Sequence, residues 1–437
     1  MQSQPSIEPV AETFQTSRLI RRTPFFYGWV VAAAGTFGMV MTSPGQTYAI
    51  SIFIEQFIVD LGLSRSVVST FYTIGTLVGS LALPYVGRQV DGRSPRLMVG
   101  VIAALFGLSC LYMSLVQNGW MLLIGFVLVR MLGQGSLGLV STYIINQWWM
   151  RRRGTVNGIS GVAMALLGVG AYPNLVNWLI PLVGWRTTYA ILGLALLLVM
   201  VPVGVLFFRG RPELYGLRPD GATLRSPQVG SSQAGPSEPV EDNWTAAEAT
   251  RTRAFWTIIL GLASISMLST GLTFHMVSIF ADNALPAALA AAVFVPIAVT
   301  TALVNLVSGV LVDRIPVRVV LVIALGLQVA ALWMAQMLDG AASAIAYGVV
   351  LGALMGLMRT VSTVALASYF GRLHLGSISG VASTTLVAAS ALGPLPMALA
   401  RDLLGSYGTT LLVLSLIPLA LAVLAAGMRK PVRTTVG

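Results

Sequence analysis

The sequence predicts an all-α polytopic membrane protein with twelve transmembrane helices in two pseudo-symmetric six-helix halves. The first observation is composition: of 437 residues, 56% are hydrophobic and 9% are charged, and the mean hydropathy is +0.83. A soluble domain is typically about 25% charged. No soluble fold can bury so much apolar surface, so the solvent of this chain must be lipid. The second observation is a short polar signature that occurs twice, about half a chain apart.

Twelve apolar segments are long enough to cross a bilayer, which takes about 20 residues of helix. They lack the apolar-polar alternation of barrel strands, and only helices or closed barrels span lipid. The first segment contains Pro44-Gly45 and should bend there. The segments are residues 25–57, 65–86, 95–116, 119–147, 154–181, 185–208, 254–281, 286–311, 315–338, 341–370, 374–400 and 406–428.

The repeated signature relates the two halves of the chain. Gly87 and Asp91 follow the second segment, and Gly309 and Asp313 follow the eighth at an offset of 222 residues. Two further matches repeat at an offset of 221, namely Ser141-Thr142 with Ser362-Thr363 and Pro173 with Pro394. Paired membrane halves are the architecture of many secondary transporters, which place their site at the interface between the halves.

The basic residues predict the orientation. In the tails, the linker, the turns and the segment ends, 21 Lys and Arg residues fall on the side of the termini and 3 on the other side. This bias predicts a multi-pass protein of the cell membrane, in bacteria the inner membrane, with both termini cytoplasmic. The same distribution explains the net charge of +11 without a nucleic-acid partner.

The chain divides into five parts. A cytoplasmic tail (1–24) precedes the first half (25–208), and a polar linker (209–253) leads to the second half (254–428) and a short tail (429–437). The linker is rich in Gly, Pro and Ser and should be flexible. Near its end, Thr245-Ala-Ala-Glu248 matches a capping box and predicts a short surface helix.

Several motifs resemble the major facilitator superfamily. The loop from Gly87 to Arg96 resembles its signature between helices two and three, and Arg130-Met-Leu-Gly-Gln-Gly135 resembles its fourth-helix pattern. Other motifs are similar to the monocarboxylate transporter and oxalate-formate antiporter branch. They are Tyr27-Gly28-Trp29, Trp148 to Gly154, Asn157 to Gly161, Gly184-Trp185-Arg186 and Tyr369-Phe370-Gly371. The resemblance covers residues 24–428 and implies a carrier of small carboxylates that works by alternating access.

The resemblance also implies that the repeated signature is structural and gating. Its glycines would allow close helix packing, and its aspartate and arginine would form a charge latch that breaks as the halves rock. The basic cluster before the fifth helix would anchor the topology at the cytoplasmic mouth. The residues in this class are Gly87, Asp91, Arg93, Gly309, Asp313, Arg314, Arg152 and Arg153.

The substrate-binding residues depart from the branch. Its members commonly carry an arginine in the eighth helix where this chain has Asn305, and some carry an acid one turn earlier, where it has Thr301. Arg359, the only charge within the tenth segment, is therefore the candidate for holding an anion. A guanidinium can bind a carboxylate through two parallel hydrogen bonds. A packing role for Arg359 remains open.

Other polar groups within the segments complete the predicted site. Arg130 either charges the transport path or bonds to facing backbone. His275 either carries a proton or serves as a neutral hydrogen-bonding group. The remaining polar groups either line the cavity or hold helices together, and they are Gln46, Tyr72, Asn174 and Asn305.

The sequence thus predicts a secondary transporter for a small, monocarboxylate-like organic anion, either proton-coupled or exchanging. We expect a monomer in the bilayer. We expect neither an enzyme nor a metal or cofactor site, because no such constellation of residues is visible and Cys110 is the single cysteine. One alternative is an efflux carrier for hydrophobic compounds. Another is a receptor that binds a solute without moving it and signals through the linker.

Overall fold

The computed structural model describes residues 17–149, 152–221, 244–311, 315–371 and 375–431. All regular secondary structure in these ranges is helical. The helices form twelve spans, numbered here in chain order, and they agree with the twelve predicted segments. Spans 1 to 6 form the first half, and spans 7 to 12 form the second.

The first half contains several spans that are built from more than one helical piece. Gly184, with φ of 79°, separates spans 5 and 6 inside one continuous run. The bounds are span 1 (Gly28–Val40 and Thr47–Leu61), span 2 (Arg65–Leu81 and Leu83–Gly92), span 3 (Pro95–Ser114), span 4 (Gly119–Val129, Arg130–Leu137 and Gly138–Trp148), span 5 (Arg153–Ala163, Met164–Ala171 and the first part of Tyr172–Ala195) and span 6 (the rest of Tyr172–Ala195, Leu196–Met200 and Val201–Phe207).

The second half likewise consists of six spans that follow one another along the chain. Pro173 and Pro394, the pair at an offset of 221, both lie at the start of a helical piece, in spans 5 and 11 respectively. The bounds are span 7 (Arg253–Phe274 and Met276–Asp282), span 8 (Ala287–Ala292 and Phe294–Leu311), span 9 (Val317–Met334), span 10 (Ala341–Phe370), span 11 (Leu375–Leu392 and Pro394–Leu404) and span 12 (Gly408–Ala426).

Length and hydropathy account for ten of the twelve spans directly. Among the described residues, nine helices are long and apolar enough to cross a membrane, and one of them, Thr155–Phe207, contains both span 5 and span 6. Spans 1 and 2 fall outside this set because each is broken into pieces shorter than the 18 residues such a window needs.

The predicted bend of span 1 is present. The chain leaves the helix after Val40, forms a tight 3₁₀ turn at Ser43–Gly45 and resumes at Thr47. Proline fixes φ and lacks an N–H, so it fits the first positions of such a turn. Span 4 has a different irregularity, a wider π-helical stretch over Arg130–Leu137. Stretches of this kind occur frequently at functional sites.

The two ends of the helical bundle carry different connecting segments. The terminal face carries the short helices Arg18–Arg22, Pro212–Tyr215 and Ala246–Ala249. The predicted capping box is present there: the Thr245 hydroxyl accepts from the Glu248 N–H, and the Glu248 carboxylate accepts from the Thr245 N–H. The opposite face carries the short turns that join spans 1 and 2, 3 and 4, and the other pairs in each half.

The halves contact each other through spans 1 and 7, 2 and 11, and 5 and 8. Spans 5 and 8 pack through small side chains, because Ala165, Ala298 and Ala302 form one buried cluster and Gly170 lies against Ala298. Small residues let helix backbones approach closely in lipid, where packing rather than water exclusion drives association.

Candidate functional site

Polar and aromatic contacts close the interface toward the opposite face. The Ser66 N–H at the start of span 2 donates to Asp402 Oδ2 of span 11 at 2.8 Å. Further along span 2, toward the terminal face, the Thr73 hydroxyl donates to the Ala391 carbonyl of span 11 at 2.7 Å. Between spans 5 and 8, Asn174 Nδ2 donates to the Ala291 carbonyl at 3.0 Å. These bonds join the two halves, so they must break if this face opens.

A central cavity of about 220 Å³ lies at the interface of the two halves. Spans 1, 7 and 10 supply its walls, so both halves contribute. None of its lining residues is acidic or basic. They are Gln46, Thr47, Tyr48, Ser266, Ser269, Thr270, Thr273, Met355 and Met358.

The bend of span 1 positions the first wall. Gln46 follows the 3₁₀ turn in extended conformation, with ψ of 151°, and its side-chain amide donates to the Thr42 hydroxyl at 3.1 Å. Gly45 allows the turn to press against span 4, because a Cβ there would clash with the Val129 carbonyl oxygen. The break thus puts three consecutive polar residues, from Gln46 to Tyr48, at the cavity.

Span 7 presents a hydroxyl stripe that our sequence reading missed. Ser266, Ser269, Thr270 and Thr273 recur at positions i, i+3, i+4 and i+7, which is one face of an α-helix. This spacing is the signal that could have found them. Three of the hydroxyls bond within the second half, to Leu386, Gln328 and Ser390 respectively.

The fourth hydroxyl of the stripe differs from the others. The Thr273 hydroxyl is buried and has no hydrogen-bond partner in the described structure. Buried polar groups usually have partners, and each exception calls for an explanation. Because Thr273 lines the cavity, a polar ligand bound there would supply the missing partner.

Arg359 lies at the boundary between the halves. It follows the cavity-lining Met358 on span 10, and its side chain is exposed. A Cβ placed on Gly161 of span 5 would lie 3.7 Å from Arg359 Nη1. The guanidinium therefore reaches from the second half to the first, where both halves could act on a ligand.

A second, mostly apolar cleft of about 380 Å³ lies between spans 1 and 5. Trp29, Phe37, Ile159 and Leu167 form much of its wall. A hydrogen bond of 2.7 Å between the Thr36 and Ser160 hydroxyls joins the two spans at this cleft. Ser160 precedes Gly161 in span 5. The cleft and the Arg359 guanidinium of span 10 therefore lie next to the same stretch of span 5.

Arg130 lies inside the first half, with 3% of its surface exposed. Its Nε donates to the Thr76 hydroxyl and its Nη1 to the Gly45 carbonyl, both at 2.9 Å. The guanidinium carbon also lies 4.7 Å from the centre of the Tyr72 ring. Arg130 thereby ties spans 1, 2 and 4 together and satisfies a carbonyl that the bend of span 1 frees from helical bonding.

Tyr72 connects Arg130 to the cavity wall. Its hydroxyl lies 2.6 Å from that of Thr47, which lines the cavity. Its ring packs against Phe274 of span 7 with centroids 4.5 Å apart. Tyr72 is fully buried, so it forms a layer behind the wall rather than part of the lining.

Three further predicted residues lie away from the cavity lining. His275 is 1% exposed inside the second half, where its Nε2 bonds to the Pro394 carbonyl at 2.9 Å and its Nδ1 lies 3.3 Å from the Tyr407 hydroxyl. Asn174 bridges spans 5 and 8. Asn305 is half-buried on span 8. Among the predicted site residues, Gln46 lines the cavity, Tyr72 contacts the lining residue Thr47, and Arg359 follows the lining residue Met358 in the chain.

The predicted gating residues are described in part. Gly87 and Asp91 lie in the helix that ends span 2, Gly309 lies near the end of span 8, and Arg153 begins span 5; at these four positions the description extends to the backbone alone. The exposed Arg93 follows span 2, and the Arg152 N–H donates to Asp220 Oδ1 at 3.0 Å. Asp313 and Arg314 lie outside the described residues. The charge latch therefore stays a prediction.

The described residues contain no group of three or more His, Cys, Asp or Glu side chains that could hold a metal ion.

Comparisons with known proteins agree on one superfamily. The sequence model of the Major Facilitator Superfamily matches residues 35–394. A curated relative, the probable L-galactonate transporter of Escherichia coli (strain K12), is 24% identical over 213 residues; the match covers 47% of this chain and 44% of the relative, so it spans less than half of that protein.

Among solved structures, a bacterial homolog of the human lysosomal transporter Spinster has the same fold. In its inward-facing and unoccupied conformation it matches 92% of this chain and 95% of its own, at 16% identity and a TM-score of 0.62. In its inward-facing and occupied conformation the TM-score is 0.58 at 15% identity, with 91% and 94% covered.

Proposed function

The chain belongs to the Major Facilitator Superfamily, and from that premise we propose that it carries a small hydroxylated monocarboxylate across the membrane by alternating access. Members of this superfamily are transporters rather than enzymes, and they move small molecules across a membrane. The finer assignment depends on one arrangement: a neutral, hydroxyl-lined cavity whose lining residue Met358 is followed in the chain by Arg359.

The cavity suits a small polar solute. Its 220 Å³ is below the roughly 300–1,000 Å³ of pockets for drug-sized ligands. Six hydroxyls and one amide line it, and the hydroxyl of Thr273 lacks a protein partner. A chain of carbon-bound hydroxyls on the solute would match these groups.

Arg359 would select the charge of the solute. A guanidinium holds a carboxylate with two parallel, charge-assisted hydrogen bonds. The likeness of one stretch of the chain to a probable L-galactonate transporter supports the same chemistry, because galactonate carries one carboxylate on a hydroxylated chain. It also fits the resemblance to monocarboxylate carriers.

The lining of the cavity favours exchange of one anion for another over symport of an anion with a proton. None of the nine lining residues titrates near neutral pH, and His275 is bonded to Pro394 inside the second half. A carrier without a titratable group at its site would return loaded with a second anion. The charge bias of the loops supports cytoplasmic termini, and the closed opposite face would then be extracytoplasmic.

Transport into vesicles tests the proposal. Purified protein in proteoliposomes that are loaded with unlabelled galactonate should accumulate labelled galactonate above protein-free vesicles. Lactate, which carries a single hydroxyl, should compete more weakly. Arg359→Ala should abolish accumulation, while Arg251→Ala, which removes an exposed arginine from the linker, should leave it unchanged. Full transport by Arg359→Ala would contradict the assignment of the site.

A second candidate function is the carriage of hydrophobic compounds. The observation that favours it is the cleft between spans 1 and 5, which is larger than the central cavity and mostly apolar. Such a carrier should ignore Arg359. Transport of a hydrophobic dye that persists in Arg359→Ala, together with no exchange of carboxylates, would favour this candidate over ours.

A further inference from the structure

A third cavity, of about 520 Å³, lies at the terminal face and is lined by residues of the first half and of the segment after span 6. The turn between spans 2 and 3, the end of span 4 and the segment after span 6 enclose it. Its lining includes three arginines, Arg93, Arg96 and Arg211, together with Tyr143 and Tyr215. None of the described residues that line it is acidic. An anion is the complementary occupant.

A fourth arginine, Arg209, lies behind the wall of this cavity, which we call the basic cavity. Arg209 is 6% exposed and donates to neutral acceptors, including the Phe208 carbonyl at 2.8 Å. Burial lowers the pKa of Arg209, and repulsion from Arg96 acts in the same direction. Four arginines therefore share one corner of the molecule, and a bound anion would reduce their mutual repulsion.

The start of span 3 adds hydrogen-bond donors. Ser94 lines the basic cavity and caps this 20-residue helix by position, but its side chain makes no capping bond. The first N–H groups of a helix have no partners within it and favour negative charge. This end of span 3 adds to the arginines rather than forming a site by itself.

An apolar surface leads away from the basic cavity along spans 3 and 6. Leu97, Val101 and Leu105 repeat every four residues on span 3 and are about half exposed. Val205 and Leu206 of span 6 are also exposed beside them, and Gly100 allows Val205 to pack closely. The surface begins next to Arg96 and continues in the direction of the bilayer core.

We propose that the basic cavity binds the phosphate headgroup of an anionic phospholipid in the leaflet at the terminal face. The arginines would hold the phosphate oxygens, and the acyl chains would lie on the apolar surface of spans 3 and 6. Basic pockets between transmembrane helices are suited to anionic headgroups. A soluble phosphate shares the headgroup chemistry but would leave the apolar surface uncovered. This site is independent of the transported solute.

Thermal stability of the full chain tests the proposal. Purified protein in neutral detergent is titrated with phosphatidylglycerol, phosphatidylcholine or soluble glycerol 3-phosphate. We expect phosphatidylglycerol alone to raise the Tm. The double variant Arg96→Gln/Arg211→Gln should need about thirtyfold more phosphatidylglycerol for half of the effect. The control Arg251→Gln/Arg253→Gln, with the same change in charge elsewhere on the terminal face, should respond as the wild type does.

Three results would overturn the proposal. The first is an equal response of the two double variants. The second is stabilisation by glycerol 3-phosphate that the Arg96→Gln/Arg211→Gln variant loses, which would make the site one for soluble anions. The third concerns unmodified protein and does not depend on how the variants fold. Phosphatidylglycerol with a photoreactive headgroup should crosslink to residues 93–97 and 209–215, and crosslinks confined to other regions would contradict the assignment.

Discussion

Arg130 in the first half and Arg359 in the second half differ in burial and in the helices that they reach. Arg130 is 3% exposed and bonded to Gly45 and Thr76, whereas Arg359 is exposed, follows the cavity-lining Met358 and reaches span 5. The sequence alone could not separate them, because each is an isolated cation in an apolar run. In the structure, Arg130 holds the bend of span 1 through the Gly45 carbonyl, while Arg359 reaches from span 10 to span 5. That Arg359 holds the solute is our proposal.

The same comparison explains why the halves are chemically unequal. At the repeat offset of 221 residues, Arg359 corresponds to Gly138, whose nearest neighbour for an added Cβ would be Thr42 at 3.8 Å. Arg130 corresponds to Leu351, which is fully buried. Arg130 and Arg359 therefore occupy positions that do not correspond in the repeat.

The largest expected effect on stability belongs to Arg130→Ala. It removes two hydrogen bonds from a charged donor and leaves the Gly45 carbonyl without that partner, so it should lower the free energy of unfolding by about 3 kcal/mol. Thermal unfolding in detergent measures the change. Arg130→Lys keeps the charge but not the fork of donors, and it should recover only part of the loss. A Tm equal to that of the wild type for Arg130→Ala would remove the structural role assigned to this arginine.

Gly45→Ala should be the next most damaging change. A Cβ at this position would clash with the Val129 carbonyl of span 4, so spans 1 and 4 would have to separate. Overpacking of this kind costs about 1–3 kcal/mol. Gly138→Ala is the matched control, since it has room for a Cβ. If both alanines lower the Tm equally, close approach at the bend is not what stabilises it.

Tyr72→Phe should have a smaller effect. The ring and its contacts with Arg130 and Phe274 remain, and only the 2.6 Å hydrogen bond to Thr47 is lost. Such a bond contributes about 1 kcal/mol, which corresponds to about a fivefold weaker binding of the solute if Thr47 is displaced. Ligand titration by thermal shift measures this. An unchanged affinity would show that the Tyr72 hydroxyl does not position Thr47 for the solute.

The surface arginine Arg186 should have the smallest effect on stability. Arg186 is 40% exposed and forms an ion pair with Asp60 near the end of span 1. Exposed ion pairs contribute about 0–1 kcal/mol, because water screens the charges. Arg186→Ala should therefore lower the free energy of unfolding by less than about 1 kcal/mol, which thermal unfolding in detergent measures. A loss as large as that of Arg130→Ala would contradict the link between burial and stabilisation.

The sequence predicted the twelve spans and their pairing because both depend on long apolar runs and a repeated polar signature. It also placed the bend at Pro44-Gly45, where local backbone chemistry decides the outcome. The lining of the candidate cavity was harder to predict, and its role as the binding site stays a proposal. Gln46 was found through its polarity, but the hydroxyls of span 7 were missed, since Ser and Thr are common in membrane helices and bond to their own backbone. His275 was conspicuous in the sequence, yet packing turns it toward Pro394 and away from the cavity.

The measurement that tests the central claim most directly compares two solutes on two proteins. Dissociation constants for galactonate and for galactitol, its uncharged polyol counterpart, are measured on the wild type and on Arg359→Gln. If Arg359 holds the carboxylate, the variant should bind galactonate about a hundredfold more weakly and galactitol with unchanged affinity. An equal loss for both solutes, or no loss for either, would contradict the account.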